Sequence, residues 1–418
     1  MLRLKSCYTR KEETGSVLLM VAGGMVMLLA VCAIAIDLAN FYLARAQAQR
    51  AADAAALAGA KAFVTSGCTT GGCSSGGIQE TIATQQAEAA AAQNYVAGKP
   101  ATLDPNSDIA FSYPTPEEPQ ITVTVQRSVP TFFAKIFGIP NANVSAKASA
   151  EAYNPSGGGN SSVGVACLKP FLVPNCDPGH PSPSNGACAD SGGGGYFFYP
   201  GTPGTKNTVE NPGPYSQGGI IGETWQLHTD AAPSQWYLVG FTDATWESGS
   251  ALENHIVECT PGIFACGDTL QTANGVKEGK VMQGIETLID ATGPGLGMGQ
   301  DSIDTTTGPP FPITGGYQNP NPLLRNKVFY DYSESPSVMT VPVYEGGALT
   351  PGQDVVSIVG YLQVFVTQVE SASQKAIDMV ILNASTCGGT PGGTTGTGGG
   401  PIVATAGSPI PIRLIRTN

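Results

Sequence analysis

The cysteines are the residues of this chain whose type and position most clearly indicate a reaction, which is disulfide formation. Cys7 lies near the N-terminus and Cys32 lies inside a long apolar run, whereas the other eight of the ten cysteines follow that run. An even set of cysteines on one side of an apolar segment is typical of an oxidising compartment, where disulfides form and persist. The eight disulfide candidates are Cys68, Cys73, Cys167, Cys176, Cys188, Cys259, Cys266 and Cys387.

Sequence spacing favours two local disulfides among these eight cysteines. Cys68 and Cys73 flank a glycine-rich loop, and Cys259 and Cys266 are similarly close in the chain. The other four would then form two further bridges: Cys167, Cys176, Cys188 and Cys387. Because eight cysteines permit roughly 105 connectivities, this pairing is a hypothesis.

Other reactive residues lack the surroundings that catalysis or metal binding needs. Residues 72–76 spell the Gly-x-Ser-x-Gly pattern of a hydrolase nucleophile elbow, but no strand precedes them to expose the serine hydroxyl. Asp301 and Asp304 lack the alternating Asp/Asn ligands and the closing Glu of a calcium loop. The histidines have no paired metal spacing: His180, His228 and His255. The sequence therefore predicts no catalytic residue, no metal site and no cofactor.

A single apolar stretch, Ser16–Ile36, is the element to which the rest of the chain is attached. It contains neither a charge nor a proline. At about 1.5 Å per helical residue it is roughly 30 Å long, which matches the hydrocarbon core of a bilayer and exceeds the apolar region of most signal peptides. Helix-forming residues continue without proline to Ala62. We therefore expect one transmembrane helix that extends out of the bilayer as a rod.

Small side chains dominate the rod from Leu38 to Ala62. Such side chains let another helix approach closely, so a partner's helix could pack on the rod. Alternatively, the alanines only favour helix formation.

Charged residues predict the orientation of the helix and exclude one class of partner. Four basic residues precede the apolar run, and cytoplasmic flanks are the ones enriched in such residues: Arg3, Lys5, Arg10 and Lys11. Together with the cysteines, they place the N-terminus in the cytoplasm and the bulk of the chain outside it. The formal net charge of −12, without basic clusters after Lys11, argues against nucleic acid as a partner.

Composition and periodicity predict an α+β fold. The 54 glycines and 32 prolines indicate many turns, and hence a β-rich, disulfide-containing exterior domain. The predicted segments are a tail (1–15), the transmembrane helix (16–36), a small α/β N-terminal module (37–155), a Gly/Ser linker (156–162) and an exterior domain (163–418) with a Gly/Thr-rich loop (387–400). The predicted elements of the module are a helix at 78–96, strands at 109–113, 121–125 and 144–152, and a short apolar helix at 132–137. In the exterior domain we expect a short helix at 280–289 and a last strand at 410–415 that would close its sheet.

The segment from Gly15 to Ala60 resembles the TadE/TadG-like group of Flp (tight-adherence) pilus-assembly proteins. A glycine ends the tail, an aspartate follows the apolar helix, and Tyr-Leu-Ala-Arg-Ala-Gln at 42–47 precedes the most specific stretch, Ala-Ala-Asp-Ala-Ala-Ala-Leu-Ala-Gly-Ala at 51–60. Residues 129–133 through 144–148 are similar to the end of the same module, so the resemblance covers about residues 15–153. Three later stretches resemble parts of longer TadG-like proteins: 167–171, 267–272 and 341–344.

The resemblance implies a bitopic protein of the bacterial inner membrane that helps to build or anchor a thin adhesive pilus, with other assembly proteins or pilin subunits as partners. Pilins cut by a prepilin peptidase carry Glu five residues after the cleaved glycine, but here Met20 stands five residues after Gly15. Many TadG-like proteins also carry a von Willebrand A domain with an Asp-x-Ser-x-Ser metal motif. Asp331–Ser335 match that motif, but the 83 residues after it predict strands and loops, which favours a surface turn.

The sequence therefore predicts a non-enzymatic, membrane-anchored component of pilus assembly. The alternative is a membrane-tethered surface-binding protein or adhesin. In that alternative, aromatic residues such as Trp225, Trp236 and Trp246 would line a ligand site, although they could equally belong to the core.

Overall fold

The computed structural model describes most of the chain between residues 14 and 415. The described residues are 14–67, 69, 73, 75–114, 118–153, 163–175, 198–199, 208–209, 221–228, 237–240, 249–260, 262–272, 278–291, 299–307, 309–344, 355–370, 376–386, 402–404, 410 and 412–415. Several predicted features lie outside them: the linker 156–162, the loop 387–400, Cys7, Cys68, Cys176, Cys188, Cys387, His180, Trp236 and Trp246.

The described residues form helices and mixed β-sheets, which confirms the α+β class. The helices are α1 (Thr14–Thr65), α2 (Ile78–Ala92), α3 (Gly249–Val257) and α4 (Glu278–Leu288). Short 3₁₀ turns cover Ala134–Phe137 and Tyr332–Glu334. Helix α1 is the single continuous rod that its alanine-rich, proline-free sequence predicts. It ends at Gly67, whose φ of 68° and N–H bond to the Val64 carbonyl close the last turn.

Helix α2 is shorter than the predicted helix 78–96. The Asn94 side chain donates to the Ala90 carbonyl at 2.8 Å, and the chain then turns through Ala97 and Gly98, both at positive φ. This turn joins the two-residue strands β1 (Tyr95–Val96) and β2 (Lys99–Pro100). An asparagine at a helix end can take over backbone hydrogen bonds, and that ends α2 at Ala92.

An antiparallel sheet packs on the second half of α1 and forms the N-terminal module. Its strands, in sheet order, are β21 (Ile412–Ile415), β5 (Asn141–Ala152), β4 (Gln120–Pro130) and β3 (Ile109–Ser112). Buried and less buried residues alternate along β4, so that Ile121, Val123 and Val125 point into the core. The predicted strands are therefore present, and two of them are longer than predicted.

The C-terminal strand belongs to the N-terminal module. Strand β21 pairs with β5 from Ile412–Ala152 to Ile415–Ser149, although the sequence placed it in the exterior domain. Arg413 lies 4.3 Å above the Tyr153 ring and binds the Glu151 carboxylate at 2.6 Å. The chain thus leaves this module, builds the exterior domain and returns to complete the first sheet.

The segment predicted to be the exterior domain, which keeps that name below, contains a larger sheet with its own hydrophobic core. Its strands are β7 (Phe171–Pro174), β10 (Thr224–His228), β11 (Tyr237–Gly240), β13 (Thr269–Thr272), β17 (Val338–Tyr344), β18 (Val355–Val369) and β19 (Ala376–Thr386), in the order β10-β19-β18-β13-β11-β7-β17. Strand β18 also pairs with β17, so the pairings close on themselves. Smaller sheets contain β6 (Val163–Ala166), β12 (Ile263–Ala265) and β20 (Ile402–Ala404); β14 (Ser302–Ile303), β15 (Ile313–Thr314) and β16 (Val328–Phe329); and β8 (Phe198–Tyr199) with β9 (Thr208–Val209).

Candidate membrane anchor and collar

The first half of α1 is bare. Every large apolar side chain from Val17 to Ile36 is between 48% and 75% exposed, and a Cβ on Gly23 or Gly24 would meet no atom within 4 Å. Among the described residues, α1 is the one helix long and apolar enough to cross a membrane. An apolar surface of this size needs lipid or protein around it, because leaving it in water would be strongly unfavourable.

Asp37, the first residue after the apolar run, attaches a loop of the sheet to α1. One carboxylate oxygen accepts the N–H of Phe132 at 2.7 Å, and the other accepts those of Phe133 at 3.1 Å and Ala134 at 2.7 Å. The N–H groups at the start of a helical turn have no partner within the turn, so a carboxylate there satisfies them as a cap does. Asp37 is only 5% exposed. We call the loop between β4 and β5, residues 131–140, the collar loop.

The direction of β4 places the collar loop beside the end of the apolar run. Gly59 of α1 lies against Ile121 at the start of β4, and Asn40 reaches the Pro130 carbonyl at its end, at 3.5 Å. The 19 helical residues between the two contacts span about 28 Å at 1.5 Å each. The nine strand residues span about 31 Å at 3.4 Å each, so the strand runs along the helix towards the apolar segment.

One face of the alanine-rich segment beyond the apolar run is buried inside this chain. Helix α1 packs on β4, β5 and α2, and the alanines at those contacts are at most 2% exposed: Ala44, Ala48, Ala51, Ala52, Ala55, Ala56 and Ala60. A Cβ on Gly59 would overlap the Ile121 side chain. The prediction that these alanines receive a partner's helix is therefore wrong for this face, because the module's own sheet and second helix already occupy it.

The far end of α1 is joined to the exterior domain. Lys61 Nζ binds Asp331 Oδ2 at 2.7 Å and donates to Ser333 Oγ at 3.0 Å. Asn383 of β19 donates to the Val64 carbonyl at 3.2 Å, within the buried part of the junction. The helix thus has an exposed apolar end, a packed middle and an end bound to the exterior domain.

The Asp-x-Ser-x-Ser motif forms a capped turn at this junction. The Asp331 carboxylate accepts the N–H of Ser333 at 3.1 Å and its hydroxyl at 2.6 Å, in addition to the Lys61 ammonium. Ser335 donates to buried Asp301 at 2.6 Å. These bonds direct the motif's side chains into structural contacts. In the part of the chain that the structure describes, no group of three or more His, Cys, Asp or Glu side chains is arranged to hold a metal ion.

Among the described residues, the other side chains considered for catalysis or metal binding are not brought together. Asp301 also accepts the Gly316 N–H at 2.7 Å, whereas Asp304 caps its own turn by accepting the N–H of Thr306 at 2.9 Å. His228 lies in β10 and His255 in α3. Of the pattern at residues 72–76, only Cys73, Ser75 and Gly76 are described. Trp225 is buried in the exterior core, as the core interpretation of the tryptophans predicts.

The pairing of Cys167 and Cys259 differs from the predicted one. Cys167 and Cys259 form a disulfide with their Cα atoms 4.5 Å apart, so the local bridge between Cys259 and Cys266 is wrong. Cys73 and Cys266 each take part in a disulfide as well. Cys32 is free and exposed on the apolar half of α1. The predicted bridge between Cys259 and Cys266 fails because the end of α3 brings Cys259 beside Cys167, which is 92 residues away in the chain.

Lys169, which lies between β6 and β7, connects this part of the chain to the end of α3, close to the Cys167–Cys259 disulfide. Its side chain is only 5% exposed, and its ammonium donates to the carbonyls of Ile256 at 2.7 Å, Val257 at 3.5 Å and Glu258. The last carbonyls of a helix have no partner within the helix, and a cation there also complements the helix dipole. Burial lowers the pKa of Lys169 from 10.5 to about 8.

We expect the stability of the exterior domain to rise with pH between about pH 8 and 9.5, because the folded chain has released a Lys169 proton that the unfolded chain still holds. With the folded pKa at about 8, the gain over this interval is about 2 kcal/mol. Urea unfolding at several pH values measures it. Lys169→Met is the control and should lose this increase, whereas an equal increase in that variant would contradict the assignment.

Comparison with known protein families gives a match to most of α1, from the apolar run to the end of the alanine-rich segment. Residues 15–62 match the family model described as "Putative Flp pilus-assembly TadE/G-like". The N-terminal segment is therefore similar to that family. The match begins at the bare half of α1 and ends at the junction with the exterior domain, so it covers the whole packed alanine face. No curated protein and no solved structure gave a significant match to the chain.

The sequence did not reveal the collar. It showed an aspartate after the apolar run and an apolar segment at 132–137, which is the 3₁₀ turn with its flanking residues, but nothing joined them. The two features are 95 residues apart, and their contact depends on the register of β4 along α1. One signal could have suggested the contact. The sequence gives no partner for the aspartate at the end of the membrane-length helix, and the same module contains a short apolar turn.

Proposed function

We propose that this chain is a membrane-anchored, non-enzymatic component of Flp-type pilus assembly, acting as a pilin-like subunit or an assembly factor. One observation carries the proposal: the TadE/G-like match coincides with a helix whose first half is bare and apolar and whose second half is built into a folded module. A helix with this division of surface suits a protein held in a membrane or a filament by its N-terminal half.

The same division supports a location for each part of the chain. The segment 16–36 would span the inner membrane with the N-terminus in the cytoplasm, since the basic residues precede it. The N-terminal module and the exterior domain would lie outside the cytoplasm, where the Cys167–Cys259 disulfide is stable. The partners would be pilin subunits or other assembly proteins, reached through the bare helix or the exterior domain, because the alanine face is occupied.

Shearing the pili from cells and locating this chain by mass tests the proposal. Recovery in the filaments, with the N-terminus cut after Gly15, would identify a minor pilin-like subunit. Retention in the membrane with an intact tail would identify an anchored assembly factor, which is the outcome we expect because Met20 stands where processed pilins carry Glu.

Cells that lack this chain decide whether either role is correct. We expect such cells to lose surface pili, and expression of the intact chain to restore them. Normal pili in the deletion strain would contradict the proposal and leave the tethered surface-binding protein as the better explanation.

A further inference from the structure

The collar loop carries a dense group of exposed apolar side chains. Five large ones are between 38% and 81% exposed within eight residues: Phe132, Phe133, Ile136, Phe137 and Ile139. The remaining exposed large apolar side chains that the structure describes outside α1 stand at least five positions apart. Single exposed apolar residues are normal on a protein surface, whereas a group of them indicates a site that binds another apolar surface.

The loop is fixed rigidly, so this group has a defined position. The Asp37 carboxylate holds three successive N–H groups at its start, and Thr131 donates to the Ile139 carbonyl across its base at 2.5 Å. Gly138, at a φ of 82°, closes the 3₁₀ turn. The loop is therefore held beside Asp37, the first residue after the apolar run, and its large apolar side chains are exposed there.

We propose that the collar loop inserts its apolar side chains into the surface of the same bilayer that α1 crosses. The proposal rests on the membrane anchoring proposed above. Its main support is continuity, because the exposed apolar surface of α1 continues past Ile36 to Leu38, and that of the loop begins at the Asp37 contact between them.

The composition of the loop and of the neighbouring helix turn fits a lipid surface. Residues 131–140 contain one charged residue, Lys135, and a lysine at this depth suits anionic headgroups. Tyr42, at 68% exposure on the next turns of α1, is of the aromatic type enriched where helices leave a bilayer. A helix alone would leave the module free to tilt and rotate about the membrane exit, whereas a second contact beside it would fix the module's orientation.

Tryptophan fluorescence of the full chain in vesicles tests this contact. Phe137→Trp and Leu323→Trp introduce tryptophan at equally exposed positions, 81% and 83%, of which only the first is in the collar loop. Leu28→Trp marks the middle of the apolar run. Each variant is reconstituted in phosphatidylethanolamine and phosphatidylglycerol brominated either near the headgroup or near the chain ends, and the signal of the parent chain's three tryptophans is subtracted.

We expect the Phe137→Trp emission to shift to shorter wavelength and to lose most of its intensity with lipid brominated near the headgroup. Leu323→Trp should show neither effect, and Leu28→Trp should be quenched most by bromine near the chain ends. If Phe137→Trp does not give folded protein, Ile136→Trp, at a position 75% exposed, carries the same expectation.

Three results would overturn the proposal. Quenching at residue 28 without quenching or a shift at residue 137 would leave the anchor and reject the collar contact. A shift at residue 137 without quenching would show that protein, such as a second copy of this chain, covers the loop. Quenching at neither position would reject the membrane anchoring itself, and the collar contact with it.

Discussion

Replacing both Cys167 and Cys259 with serine is expected to lower the free energy of unfolding of the exterior domain by about 2–5 kcal/mol. The disulfide joins residues 92 positions apart, so it removes a large loop from the unfolded chain. In the chain-entropy account, the loss of stability grows with the length of the loop that a disulfide closes. Urea unfolding of the purified full chain measures the difference, with the protease resistance of the exterior domain as the probe of unfolding.

Cys32→Ser is the matched control for this experiment. Cys32 is free and exposed on α1, so its replacement should leave the urea midpoint unchanged. A double serine variant as stable as this control would contradict the expectation. A non-reducing peptide map gives an independent check, since it should recover the Cys167 and Cys259 peptides linked to each other. A peptide that links Cys259 to Cys266 would instead restore the pairing that the sequence favoured.

The features that the sequence predicts correctly depend on local patterns. The apolar run and the alanines after it specify α1 through residue type alone, and alternation along 121–125 specifies a half-buried strand. Helix α4 at Glu278–Leu288 agrees with the helix predicted at 280–289 for the same reason. In each case, neighbouring residues carry the periodicity that decides the structure.

The features that the sequence does not predict depend on contacts between distant residues. Strand β21 pairs with β5 across more than 250 residues, and no pattern in residues 412–415 distinguishes the first sheet from the second. The Cys167 partner is likewise decided by where α3 ends. The contact of Asp37 with the collar loop requires the register of a whole strand along a helix, which local periodicity does not specify.

The alanine face of α1 also depends on distant contacts, because its composition indicated either a partner's helix or only a preference for helix formation. Its burial against β4, β5 and α2 is a third role, packing within the module, which the sequence did not predict. The burial also explains why small residues are needed there, since a helix that lies flat on a sheet and beside a second helix has no room for longer side chains. Packed interiors respond to the addition of even a few methylene groups.

Replacing Ala52, Ala55 or Ala56 with leucine is therefore expected to destabilise the isolated chain. Each alanine is 0% exposed, and overpacking a closed core costs about 1–3 kcal/mol per substitution. The three positions adjoin one another, so the triple variant should lose more stability than any single variant but less predictably than a sum. Limited proteolysis of residues 75–153 in the purified chain measures the effect.

Ala46→Leu is the control, because Ala46 is exposed on the same helix and has room for a larger side chain. Packing within the module predicts that the buried variants become sensitive to protease before any partner is present, and that Ala46→Leu does not. A partner-binding face predicts the reverse order, namely unchanged stability of the purified chain together with failed pilus assembly in cells. If the buried variants behaved in that second way, the alanines would be a partner's binding site and the packing of α1 on β4 and β5 would have to be rejected. Because stability and assembly are measured separately, the experiment distinguishes a broken module from a blocked interface.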